Sequence, residues 1–74
     1  MSLISKNLKT LREFNGFTQG YMAEQLGITL GSYHNKEMCK TEFTLNEAHN
    51  ISEIFKMPID DIFFKKLVFD MNTK

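Results

Sequence analysis

The sequence predicts an all-α domain of five short helices, and three features carry that expectation. Apolar residues recur at spacings of three and four. Hydroxyl side chains stand where helices would begin, and glycines stand where they would end. The chain has 74 residues, enough for one compact domain. Seven phenylalanines and a hydrophobic content of 42% make a core feasible. The single cysteine, Cys39, closes no intrachain bridge, and one thiol with two distant histidines makes no zinc site. Packing alone must therefore hold the fold.

The elements follow in order. Ile4, Leu8 and Leu11 mark an amphipathic first helix that Asn15-Gly16 should terminate. Thr18 can cap a second helix, because its hydroxyl accepts from an orphan backbone N–H. Met22, Ala23 and Leu26 form that helix's apolar side, and Gly27 stands where a helix end favours left-handed dihedrals. Ile28 should bury, and Thr29 can cap a third helix running to about Glu37. Residues 38–43 read as a loop. Thr44-Leu45-Asn46-Glu47 is a capping box, opening a fourth helix whose expected buried side is Leu45, Ala48, Ile51, Ser52 and Phe55. Pro58 opens a short fifth helix through Phe63, since proline is tolerated in a first turn. Beyond it, Phe64, Leu67, Val68 and Met71 fit helical spacing, while Leu67, Phe69 and Met71 fit strand alternation; period does not separate the two. Residues 1–64 thus form one domain, and 65–74 a tail that either completes the core or supplies a dimer interface.

Two short helices joined at a glycine corner are the mark of a helix-turn-helix. Ala23, four residues before Gly27, lets the helices approach closely, and Ile28 and Tyr33 fill the angle between them. The second helix of such a pair fits a DNA major groove. Charge is divided in the matching sense. Net charge is zero, yet residues 1–40 carry five bases and three acids, and residues 41–74 carry four bases and six acids.

The segment TQGYMAEQLGITLGSYHNKE resembles the helix-turn-helix of the phage-repressor (Cro-type, xenobiotic-response-element) regulators. The likeness extends from LKTLREFNGFTQ through FTLNEAHNISEIFKMPIDDIFF, roughly residues 4–64, and is greatest to the short Gram-positive phage repressors. The resemblance implies a compact five-helix domain, dimeric on a two-fold-symmetric DNA operator. It places Thr29, Leu30, Gly31, His34 and Asn35 on the base-reading face, where the Asn35 amide can pair bidentately with adenine. It places Gln19 on a phosphate, orienting the base-reading groups. It makes Arg12 and Glu37 a structural salt bridge between the first and third helices. Lys9, Lys36 and Lys40 cluster around the motif and are expected to contact the DNA backbone, with Lys36 reaching outward on a packed stem.

The sequence also departs from the family's pattern. Met38 and Cys39 stand where Asn-Gly or Arg-Gly is usual, so the third helix must end another way or accept a positive φ at a non-glycine residue. Gly20 replaces a usual polar helix former.

No general base stands beside a nucleophile, so an enzyme is not expected. No segment approaches the roughly 18 consecutive apolar residues of a membrane span, and no secretory signal opens the chain, so a cytoplasmic location is expected. No cofactor is implied. The competing expectation is a protein-interaction module on the same fold, such as a phage modulator or an antitoxin-like partner, which the zero net charge, Leu30, Gly31 and the apolar tail favour.

Overall fold

The computed structural model describes residues 2–67. It holds five helices: α1 (Leu3–Asn15), α2 (Gln19–Leu26), α3 (Leu30–Glu37), α4 (Leu45–Phe55) and α5 (Ile59–Phe63). None of them is long and apolar enough to cross a membrane.

Local chemistry sets the boundaries. Ser2, Thr18, Thr29 and Thr44 each precede a helix with extended backbone, and each side-chain oxygen accepts from the N–H three residues on. At Thr44 the box is complete, with Glu47 Oε1 accepting from the Thr44 N–H at 2.9 Å. Ser2 is the cap that the sequence reading did not assign. Pro58 sits one position before the first turn of α5 and makes no side-chain cap.

The ends of α1 to α4 share one device. The N–H of Phe17 bonds the carbonyl of Arg12, Ile28 that of Ala23, Lys40 that of Asn35, and Met57 that of Ser52. In each, the residue before the donor is left-handed, as the Schellman motif requires. Gly16 and Gly27 meet that need freely at φ 73 and 70. Cys39 and Lys56 meet it as non-glycine residues at φ 65 and 55. The departure at Met38-Cys39 is thereby explained: the helix ends as glycine would end it, with strain in glycine's place.

Leu8, Leu11, Met22, Ala23, Tyr33, Ile51, Ile62 and Phe63 form the buried core. α2 packs against α3, α1 against α5 and α3, and α4 against α5 and α2. The loop between α3 and α4 is pinned by Phe43, whose ring meets Tyr33 and Phe63 edge-on at 6.0 and 5.9 Å. Leu45 corrects the expected buried side of α4, being 84% exposed. It occupies the first turn of α4 and lines an open surface groove rather than the core.

The start of the tail touches the core. Leu67 packs against the core cluster, and its N–H donates to Asn7 Oδ1 at 3.3 Å. The helix-or-strand question concerns residues outside those described.

Candidate nucleic-acid interface

α3 has two unlike faces. Tyr33 and Glu37 point inward and are buried, while Leu30, Gly31, His34 and Asn35 are exposed. Spacings of three and four place the exposed set on neighbouring rows of one helical surface. The structure therefore brings four of the five residues expected to read bases onto one face. Thr29 is exposed beside them, but its hydroxyl accepts from the Ser32 N–H at 3.1 Å. That bond caps the helix, so the side chain is already committed. Leu30 is 55% exposed, a large apolar group left facing solvent. A Cβ at Gly31 would meet nothing within 4 Å, so no packing inside the domain excludes a side chain there.

The inward face is anchored by a polar cluster. Arg12 donates from Nε to Glu37 Oε1 at 2.8 Å and from Nη2 to Glu37 Oε2 at 2.9 Å. Its remaining nitrogen, Nη1, donates to the Phe17 carbonyl at 3.1 Å. Tyr33 OH donates to Glu37 Oε1 at 2.6 Å. Gln19, the first residue of α2, donates from Nε2 to Glu37 Oε2 at 3.2 Å. One carboxylate, 2% exposed, thus ties α1, α2 and α3 together through four hydrogen bonds.

Burial by itself would push the Glu37 carboxyl up. The bonds from Arg12, Tyr33 and Gln19, with the charge of Arg12, outweigh it and hold the group below the usual carboxylate range. Glu37 in turn raises Arg12, chiefly by its hydrogen bond. The Tyr33 phenol is pushed far up by burial and by the same carboxylate. The cluster is therefore an ionised pair with a neutral phenol.

Gln19 also looks outward, its Oε1 lying 3.1 Å from His34 Nδ1. Gln19 thereby links the start of α2 to the exposed face of α3. That the same amide would reach the buried carboxylate was not legible in the sequence.

The lysines separate. Lys9 and Lys40 are exposed. Lys36 corrects its expectation: its ammonium does not reach outward but pairs with Glu47 Oε1 at 2.7 Å. Both side chains are largely covered, so this cation is neutralised within the domain and ties α3 to the start of α4. The Glu47 carboxyl is pushed up by burial, but is held low on balance by Lys36 and the Thr44 N–H. Ala23 is buried and Gly27 is left-handed, as expected at that corner.

Asn7 is a buried polar residue that sequence reasoning missed. Its Nδ2 donates to the Ile62 and Lys65 carbonyls at 2.8 and 2.7 Å. With the Leu67 bond, it clasps the chain as it leaves α5. The available signal was an amide standing on the apolar stripe of α1, three residues after Ile4 and one before Leu8.

A shallow apolar groove of about 580 Å³ opens elsewhere, lined by Ile4, Phe43, Leu45, Ala48, Phe63 and Phe64 among others. No family model, no curated protein and no solved structure matches this chain.

Proposed function

We propose that the chain is a sequence-specific DNA-binding transcriptional regulator, a repressor, acting as a homodimer in the cytoplasm. α2 and α3 serve as a helix-turn-helix, and the segment 29–37 reads the major groove. The observation that carries this reading is the two-faced α3. Its inner side is fixed by the Arg12–Glu37–Tyr33 cluster, and its outer side offers His34, Asn35, Leu30 and a bare Gly31 backbone. Rigid presentation of an amide and an imidazole suits base-edge recognition, and Leu30 suits a thymine methyl. Lys9 and Lys40 supply phosphate contacts. With Lys36 neutralised, few such contacts remain, and the salt dependence of binding is shallow.

The second reading is a protein-interaction module. Zero net charge favours it, as does the exposed Leu30. Selection of duplexes from a randomised library, with Asn35→Ala as control, separates the two. A two-fold-symmetric motif, with half-sites about one helical turn apart, supports the regulator, and Asn35→Ala then relaxes one position per half-site. Lack of enrichment, or binding indifferent to sequence, removes it.

A further inference from the structure

The contact between Gln19 and His34 determines more than an orientation. Glu37 sits in the fork of Arg12 with a phenol donating to it, so it is an ionised carboxylate and only accepts. The Gln19 group lying 3.2 Å from it must then be the amide NH₂. That fixes the amide's direction, and the carbonyl Oε1 is the atom that faces His34 Nδ1 at 3.1 Å. A carbonyl oxygen has no proton to give, so His34 Nδ1 must carry one.

In a neutral imidazole only one nitrogen is protonated, and the bond made by one ring nitrogen sets the state of the other. With the proton on Nδ1, Nε2 is left with a lone pair. A histidine side chain free in water prefers the opposite tautomer, with the proton on Nε2. Gln19 therefore inverts the hydrogen-bonding character of the ring: His34, on the exposed face of α3, offers an acceptor where it would otherwise offer a donor.

Resting on the reading of α3 as the DNA-reading helix, we infer that His34 is a base-specificity residue that accepts, through Nε2, from an exocyclic amino group in the major groove. Gln19 is the positioning residue that sets this polarity. The amino groups at that edge are cytosine N4 and adenine N6. Guanine O6 and N7, and thymine O4, are acceptors. Against these the Nε2 lone pair is repelled, so guanine and thymine are disfavoured at the position His34 meets. The relay runs from the Arg12–Glu37 pair through one amide to a base edge, so a charge pair inside the domain selects what a surface residue reads.

Two measurements test the inference. Long-range proton–nitrogen NMR of the free, uniformly labelled protein at mildly alkaline pH reports which nitrogen of neutral His34 is protonated. Protonated Nδ1 is expected, reverting to protonated Nε2 in Gln19→Ala. Protonated Nε2 in the unsubstituted protein overturns the inference, whatever the protein binds. In the library selection, adenine or cytosine is expected at one position per half-site. His34→Ala should lower discrimination there by roughly 3- to 10-fold, and Gln19→Ala should move the preference toward guanine or thymine. Guanine or thymine selected by the unsubstituted protein at the His34-dependent position overturns it. If no duplex is enriched, the DNA reading and the base-reading role fall together, whereas an NMR failure removes the inference and leaves the regulator reading standing.

Discussion

Arg12 and Glu37, 25 residues apart in sequence, meet in a bidentate pair with bonds of 2.8 and 2.9 Å. Their side chains are only 11% and 3% exposed. Removing either partner leaves the other charge buried without its counter-charge. Arg12→Ala and Glu37→Ala should each cost about 3–5 kcal/mol, a large share of the stability of so small a domain. The paired replacement Arg12→Met with Glu37→Leu should lose much less than the two single losses added. Urea denaturation of the three variants checks this, and additive losses would show that the pair is not coupled.

The same cluster sets the pH range of stability. Glu37 is held below its ordinary value in the folded chain, so its contribution is fully present above its unfolded value of roughly 4.3. It is lost as pH falls through the lower folded value. Glu47 acts in the same sense. The Tyr33 phenol is raised, so its contribution holds below about pH 10 and is lost as pH rises beyond that. Thermal midpoints should fall on both sides of a broad neutral plateau. Glu37→Gln should flatten the acid limb, and an unchanged limb would assign acid loss elsewhere.

Asn7 satisfies two carbonyls and one N–H at the exit of α5. Asn7→Leu leaves those groups without their partner inside an apolar stripe, at a cost of about 1–3 kcal/mol. Amide exchange at Leu67 should accelerate more than exchange within α2 or α3. Equal acceleration everywhere would mean that the clasp is not local.

Cys39 and Lys56 hold left-handed backbone at helix ends without being glycine. Cys39→Gly and Lys56→Gly should each stabilise by about 0.5–1 kcal/mol, the relief of αL strain offset by the freer unfolded glycine. Calorimetry should register each as a rise of a few degrees, at about 4–8 °C per kcal/mol in a domain of this size. A fall would show that the cysteine contacts outweigh the strain. Those contacts are made by Sγ to Ser2 Oγ at 2.8 Å and to the Glu37 carbonyl at 3.9 Å.

Gly31 separates stability from function. A Cβ there meets open space within the domain, so Gly31→Ala should stabilise α3 by roughly 0.5–1 kcal/mol. If the bare backbone exists to let a base edge approach, the same substitution should weaken operator binding. A more stable protein with undiminished affinity would show that glycine serves no close approach.

Much of the fold was legible because its signals are local. Thr18, Thr29 and Thr44 cap helices through bonds spanning three residues, and Gly16 and Gly27 end them within a turn. Met22 and Tyr33 followed from helical period, which fixes a face before anything packs on it. Period failed at Leu45, which lies on the apolar stripe of α4 but lines an open groove. A stripe gives direction, not the extent of the surface it meets.

The sequence by itself determined the five helices and most of their ends, because caps, turns and period depend on residues a few positions apart. Tertiary structure alone decided what their surfaces hold. It gave Lys36 to Glu47 and turned Asn7 toward residues 55 to 60 positions away. It also ran one amide from the Glu37 carboxylate to His34. Such partners meet only when packing brings distant segments within about 3 Å, and a buried polar group takes whichever partner that packing supplies.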